Sequence, residues 1–175
     1  MVPASPSSSS ASWPLTCVVG VCGVRQAGVT RILNLQEEHD WQKFGIDFGG
    51  IQHHCGQRGD IGIVRSPLVD FSDDSLVKDL AAAVGQLSKL LDDGHRVYVH
   101  CTAGLGRAPA VIIAYMHWFC GMNLEDAYAF VTGRRRCHPR VRLPRPLHTC
   151  CSIPAHHTTP HHTLQGDEDN LAPWV

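Results

Sequence analysis

Between residues 96 and 119 the sequence changes from a strand pattern, through a glycine-containing loop, to a helix pattern. Residues 96–100 (RVYVH) have the alternation of a buried strand, and residues 108–119 are apolar on nearly every side. A helix that is apolar all round must be buried, so this helix is expected at the centre of the domain. The strand, loop and helix together indicate an α/β fold.

Strand and helix patterns also alternate in the rest of the central sequence. Residues 30–35 (TRILNL) and 61–68 (IGIVRSPL) are predicted to be further strands. Residues 76–91 place apolar side chains on one face of a helix, and Asn123 is a suitable cap for the start of another helix. This alternation predicts a central, mostly parallel sheet flanked by helices.

The chain has 175 residues, enough for one domain with tails. We predict that residues 28–139 form the domain. Residues 1–27 contain no acidic side chain and begin with a serine- and proline-rich stretch, which is typical of a disordered terminus or an organellar transit peptide. The second interpretation predicts a chloroplast location, with the cytoplasm as the alternative. Residues 140–175 lack periodicity and are interpreted as a low-complexity tail.

Composition excludes several kinds of partner. Lys and Arg total 15 against 16 Asp and Glu, so no global positive field exists to hold nucleic acid or an anionic membrane. No apolar run approaches the roughly 20 residues needed to cross a bilayer. The 8 cysteines and 12 histidines show neither a disulfide framework nor metal-ligand spacing, so a reducing compartment and no metal or other cofactor are expected.

The loop that starts at Cys101 reads CTAGLGR and joins the strand to the helix. Its glycines let successive backbone N–H groups point into one concavity, and the helix N-terminus adds partial positive charge. The cysteine at the start of the loop and the arginine six positions on distinguish it from a nucleotide-binding loop, whose Lys-Ser/Thr ending is missing. The predicted phosphate-binding residues are Thr102, Ala103, Gly104, Leu105, Gly106 and Arg107.

Two side chains give this predicted anion site its chemistry. The N–H dipoles and the nearby guanidinium favour the thiolate of Cys101, which would act as a nucleophile. Arg107 can hold two phosphate oxygens with its planar fork and so stabilise the transition state. The inferred reaction is phosphate-ester hydrolysis through a phosphocysteine intermediate.

The Cys-x5-Arg spacing, preceded by His100, resembles the cysteine-dependent phosphatases of the dual-specificity type. The loop sequence CTAGLGRAP is similar to the glucan phosphatase subgroup, the laforin and starch-excess enzymes, and most of all to the plant and algal "like starch-excess" type that lacks a carbohydrate-binding module. The resemblance includes ILNLQEEHDWQKFGID, DFSDDSL and AYMHWFCGMNLEDAY. It implies a dual-specificity-phosphatase-like fold and a starch-like phosphoglucan as substrate. It also leads us to expect missing edge elements, as in a truncated or misassembled domain.

The resemblance assigns roles to residues outside the loop as well. Asp70, in an Asp-Phe pair 31 positions before Cys101, matches the family's general acid. Asp73 and Asp74 are competing candidates, but capping of the next helix explains them more simply. His100 is expected to support the nucleophile through a hydrogen bond to nearby backbone.

Aromatic side chains can give sugar rings a flat platform. The candidates in this sequence are Trp41, Phe44 and Phe71, although aromatic residues are also common core residues. Two alternative functions stay open. The first is a phosphoprotein dual-specificity phosphatase acting on Tyr, Ser or Thr. The second is an inactive glucan-binding scaffold, expected if incomplete domain edges leave the loop misassembled.

Overall fold

A computed structural model describes residues 23–70 and 73–139 of the chain. The strands are β1 (Arg31–Asn34), β2 (Gly62–Arg65) and β3 (Val97–His100). The helices are α1 (Glu38–Phe44) and α2 (Phe48–Arg58) between β1 and β2, α3 (Asp73–Asp92) between β2 and β3, and α4 (Arg107–Trp118) and α5 (Leu124–Arg134) after β3. Within the described ranges, no helix is long and apolar enough to cross a membrane.

The sheet is parallel, and β1 is its central strand. The strand order is β2-β1-β3, and Asn34 at the end of β1 lies opposite Arg65 and His100 at the ends of its neighbours. The carboxyl ends of the three strands therefore meet at one edge, which is where open α/β sheets bind ligands. The predicted parallel sheet flanked by helices is confirmed.

The two faces of β1 are buried against different helices. Leu33 and the following Leu35 are fully buried in a cluster with side chains of α3 and α4. Ile32 points to the other face, where it packs in a cluster with Cys55 of α2. Burial on both faces explains why the sequence of β1 is a short apolar run without polar alternation.

The helices that periodicity predicts are present, with small differences at their ends. Helix α3 begins at Asp73, earlier than its apolar stripe, and Gly94 follows it with a φ of +79°. The N–H of His95 donates to the carbonyl of Leu90 at 3.0 Å and closes the last turn. Asn123 caps α5 by accepting a hydrogen bond from the N–H of Glu125 at 3.1 Å.

Helices α1 and α2 were not predicted from the sequence. Helix α1 has only 7 residues and begins with a capping box, in which the side chains of Glu37 and Asp40 each accept a hydrogen bond from the other's backbone N–H. Helix α2 contains several glycines, which weakens its helical pattern, and Asp47 caps it by accepting from the N–H of Gly50. Because α1 follows β1 closely, it begins near the ligand-binding edge of the sheet.

The domain boundaries at residues 28 and 139 stay predictions. Most of the predicted N-terminal segment and the whole predicted tail lie outside the described residues, and so do the places where edge elements were expected to be missing.

Candidate active site

The loop of residues 101–106 joins β3 to α4 and lies at the carboxyl edge of the sheet. Cys101 directly follows β3 and has 6% of its surface exposed. Arg107 is the first residue of α4 and is 3% exposed. Ala103 and Leu105 are exposed, whereas the other loop residues are half-buried: Thr102, Gly104 and Gly106. The loop therefore places a buried thiol and a buried guanidinium at its two ends.

Acceptors from several segments surround the guanidinium of Arg107. Its Nη1 donates to Oδ2 of Asp40 at 2.7 Å and to the carbonyl oxygen of Leu68 at 3.1 Å. Its Nη2 donates to Oδ1 of Asp40 at 3.2 Å and to Oγ1 of Thr102 at 3.0 Å. A longer contact of 3.4 Å joins Nη2 to Oδ2 of Asp70. Asp40 is thus the bidentate partner of Arg107, and Asp70 contacts it through one oxygen.

The Nε of Arg107 is buried and has no hydrogen-bond partner among the described residues. Leaving a buried charged donor without an acceptor is costly, so such an atom indicates a position that a ligand completes. Asp40 occupies the edge of the guanidinium formed by Nη1 and Nη2. The edge formed by Nε and Nη2 is the one suited to a second, bidentate oxyanion.

Asp40 is a site residue that the sequence analysis missed. Burial alone raises the pKa of its carboxyl, but hydrogen bonds from Arg107, from the N–H of Glu37 and from Thr102, with the charge of Arg107, lower that pKa to about 2. Burial lowers the pKa of Arg107, but the hydrogen bond to Asp40 and the nearby carboxylate charges raise it overall. Both partners are therefore ionised at neutral pH. The available signal was the capping box, which starts a helix just after the central strand.

Buried amide side chains connect β1 to the loop. Gln36 donates through Nε2 to Oγ1 of Thr102 at 3.2 Å. Its Oε1 accepts from Nδ2 of Asn34 and from Nε1 of Trp41, each at 3.3 Å. Amide side chains at the carboxyl end of a central parallel strand are a sequence signal for a ligand site. The sequence analysis did not use this signal. Through Gln36 and Thr102, the indole of Trp41 is joined to the loop.

The segment after α5 holds the outer side of the loop. Nη2 of Arg135 donates to the carbonyl of Gly104 at 2.9 Å, and the N–H of His138 donates to the carbonyl of Leu105 at 2.9 Å. Gly104 has a φ of +69°, and a Cβ there would lie 2.6 Å from Nη2 of Arg135. In a planar trans peptide the N–H points opposite to the carbonyl. These outward carbonyls therefore turn the next two N–H groups toward the inside of the loop.

His100 contacts the backbone at the start of the loop, and Asp70 contacts the arginine that follows its end. Nδ1 of His100 is 2.9 Å from the carbonyl oxygen of Cys101. Burial lowers the pKa of His100, the contact with that carbonyl opposes the shift, and the charge of Arg107 adds to it. The imidazole is therefore neutral at neutral pH and can donate from Nδ1. Asp70 lies beside Arg107 with 42% of its side chain exposed.

The candidate aromatic residues fall in different surroundings. Trp41 stacks on Phe48, with 4.0 Å between ring centroids, and the guanidinium of Arg65 lies 4.3 Å from the Trp41 centroid. Phe44 is 55% exposed at the end of α1. Phe71 lies outside the described residues, as do the side chains of Asp73 and Asp74. A cleft of about 480 Å³ is lined by Glu38, Trp41, Gln42, Gly45, Ile46 and Asp47.

Comparison with known proteins identifies the family of the chain. The family model described as "Dual specificity phosphatase, catalytic domain" matches residues 16–147. The chain is 41% identical over 114 residues to the phosphoglucan phosphatase LSF1, chloroplastic, of Arabidopsis thaliana, which covers 65% of this chain and 19% of that protein. It is 40% identical over 119 residues to the phosphoglucan phosphatase DSP4, amyloplastic, of Castanea sativa, covering 67% of this chain and 32% of that protein.

The fold is also found in solved structures. The crystal structure of Cydia pomonella PTP-2 phosphatase superimposes with a TM-score of 0.57 at 22% identity, over 73% of this chain and 75% of that chain. The chain belongs to the dual-specificity phosphatase family. Its similarity to two phosphoglucan phosphatases confirms the resemblance to the glucan phosphatase subgroup. The chain spans less than a third of the length of those two relatives.

The ion pair between Asp40 and Arg107 predicts how the free energy of unfolding depends on pH. The pKa of Asp40 is lowered from 3.8 to about 2 on folding, so its contribution is complete above about pH 4 and is lost as the pH falls toward about 2. The expected contribution is about 2 kcal/mol to the free energy of unfolding. Urea unfolding across this range should show the gap between the parent and Asp40→Asn narrowing as the pH falls. A gap that stays constant would contradict the prediction.

The backbone conformations of a loop glycine and a helix glycine predict opposite effects of substitution on the free energy of unfolding. Gly104→Ala places a Cβ at a positive φ and against Arg135, so the free energy of unfolding should fall by about 1–3 kcal/mol. Gly85→Ala, at an exposed position in α3 with no atom near the new Cβ, should raise it by about 1 kcal/mol. Thermal or urea unfolding measures both. Equal effects of the two substitutions would contradict the strained role of Gly104.

Proposed function

We propose that this chain is a cysteine-dependent phosphatase domain that hydrolyses phosphate monoesters of a starch-like glucan. The observation that carries the proposal is the buried Nε of Arg107, which has no partner among the residues that the structure describes and lies at the end of a loop that begins with Cys101. Two oxygens of a phosphate would accept from Nε and Nη2, and the loop N–H groups would bind the third oxygen. Membership in the dual-specificity phosphatase family supports the same chemistry.

The reaction proceeds in two displacements. The thiolate of Cys101 attacks phosphorus, so an S–P bond forms while the P–O bond to the sugar breaks, and Asp70 gives its proton to the leaving oxygen. The carboxylate of Asp70 then takes a proton from water as that water attacks the phosphocysteine and breaks the S–P bond. Inorganic phosphate leaves, and both side chains return to their starting forms. Arg107 holds the peripheral oxygens throughout.

The contact between Asp70 and Arg107 fits this sequence of events. It is the longer carboxylate contact of the guanidinium, at 3.4 Å, and the Asp70 side chain is partly exposed. A phosphate dianion bound to Nη2 would compete with this contact. Asp70 would then turn from the guanidinium toward the leaving oxygen, so substrate binding itself would bring the acid into position.

Two observations support a glucan as the substrate. The first is the similarity to two proteins named as phosphoglucan phosphatases. The second is the stacked pair of Trp41 and Phe48, which is joined to the loop through Gln36 and Thr102. Phe48 is buried, whereas the half-buried Trp41 lines the cleft of about 480 Å³, so the indole is the part of the pair that can contact a sugar. Phe44, three positions further along α1, offers a second, exposed ring on the same helix.

The relatives also support a location. Their names place them in the chloroplast and the amyloplast. The serine-rich N-terminal sequence of this chain, without acidic residues before Glu37, has the composition of a plastid transit peptide. The proposed location is therefore the plastid, where the proposed partner, phosphorylated glucan, is stored.

Substitution of the nucleophile and the acid tests the mechanism with a small aryl phosphate. Cys101→Ser should abolish turnover, and Asp70→Asn should lower kcat by about 100- to 10,000-fold, because a general acid contributes about that factor. The loss for Asp70→Asn should be smaller with a leaving group that needs no proton. If the parent turns over the aryl phosphate no faster than Cys101→Ser, the alternative of an inactive glucan-binding scaffold is favoured instead.

Substrate choice is tested by comparing phosphate release from phosphorylated amylopectin and from a phosphotyrosine peptide. We expect amylopectin to be preferred in kcat/KM, and Trp41→Ala to lower that preference by about fivefold, since one stacking ring contributes about 1 kcal/mol. The matched substrate for this variant is the aryl phosphate, which does not need the platform. A marked preference of the parent for the peptide would favour the phosphoprotein phosphatase alternative.

A further inference from the structure

We propose that Asp40 is a positioning residue, which sets the orientation of the Arg107 guanidinium for the phosphate that is transferred. The proposal rests on the phosphatase function proposed above and extends it to a residue outside the loop. Asp40 has no role in the two displacement steps. It is nevertheless 7% exposed, ionised and bound to the side chain that would hold the phosphate.

The Asp40 carboxylate is itself fixed in place. Its Oδ2 accepts from the backbone N–H of Glu37 at 2.9 Å, as part of the capping box that starts α1. The same oxygen accepts from Nη1 of Arg107, and Oδ1 accepts from Nη2. A bidentate pair fixes both the position and the plane of a guanidinium. The start of α1 therefore determines how the guanidinium is turned.

The orientation matters because a guanidinium has distinct edges. With Nη1 and Nη2 bound to Asp40, the Nε and Nη2 edge is presented to the incoming anion. The remaining acceptors of Nη1 are the backbone carbonyls of Leu35 and Leu68, at 3.4 and 3.1 Å. Nη2 keeps contacts with Oγ1 of Thr102 and Oδ2 of Asp70, so each acceptor other than Asp40 binds one nitrogen only and none holds the group by two parallel hydrogen bonds. Without Asp40 the guanidinium could rotate and pair more closely with Asp70, which would occupy the general acid.

A role in orientation and a role as a simple charge predict opposite results. If Asp40 acted only through its negative charge, removing it would increase the attraction between the site and an anion. Inorganic phosphate would then inhibit more strongly. If Asp40 orients Arg107, removing it lowers the fit to phosphate and to the transition state, so inhibition weakens and kcat falls. The direction of the change in phosphate inhibition decides between them.

The experiment measures aryl phosphate hydrolysis and its competitive inhibition by inorganic phosphate. For Asp40→Asn we expect kcat to fall by about 10- to 100-fold, because a small misplacement of a catalytic group costs about this much. The inhibition constant for phosphate should rise several-fold. Asp126→Asn removes the same charge from an exposed position on α5 and should leave both values unchanged. Asp40→Glu restores the carboxylate and should recover part of kcat.

A double-mutant cycle shows whether Asp40 acts through Arg107. Lysine lacks the planar fork, so in an Arg107→Lys background Asp40→Asn should cause little further loss of kcat. The proposal is overturned if Asp40→Asn lowers kcat by the same factor in the Arg107→Lys background as in the parent. Tighter inhibition of Asp40→Asn by phosphate would also overturn it. If Asp40→Asn does not fold, as near-UV circular dichroism would show, the same cycle is run with Asp40→Glu. A parent without Cys101-dependent turnover would instead refute the proposed function.

Discussion

The ion pair between Arg107 and Asp40 is the interaction on which the arrangement of the site depends. It joins the first turn of α4 to the first turn of α1, across the carboxyl edge of the sheet. A buried ion pair stabilises a fold little compared with apolar residues of similar size, because both charges lose their hydration. Its presence is better explained by the guanidinium, which must be buried, charged and held in one orientation to bind an anion.

The rest of the fold supports this pair from two sides. On the inner side, the central strand β1 ends in Asn34 and is followed by Gln36, whose amide holds the hydroxyl of Thr102. On the outer side, Arg135 and the backbone of the segment after α5 bind the loop carbonyls. The loop is therefore held by contacts from distant parts of the chain, and its shape does not depend on its own glycines alone.

The sequence was sufficient for the elements with strong local patterns. β1, β3 and α4 are apolar because they are buried, and Asn123 marks its helix by capping it. Helices α1 and α2 were not predicted. Helix α1 has only 7 residues, and its capping box is its main sequence signal. Helix α2 contains glycines that weaken its helical pattern. The loop sequence pointed to Cys101 and Arg107, and the family resemblance pointed to Asp70; the roles of all three are proposals.

Asp40 and Arg135 show why the long-range contacts of the site could not be predicted from local sequence. Asp40 lies within an acidic run that has the composition of a solvated surface, and its partner is 67 positions away. Arg135 lies within a run of arginines and binds a carbonyl 31 positions earlier. Each pairing becomes visible only when the chain has folded and distant segments lie side by side.

Trp41 directly follows Asp40 on α1, so one short helix carries both the indole and the carboxylate that binds Arg107. The indole contacts Gln36 and Phe48, whereas the carboxylate contacts Arg107 and the N–H of Glu37, so a smaller side chain at position 41 leaves the partners of the guanidinium in place. Phe44 lies at the far end of the same helix with its ring largely in solvent. A change at position 44 is therefore expected to leave the packing of the first turn of α1 unchanged, whereas a change at position 41 removes a contact with Gln36.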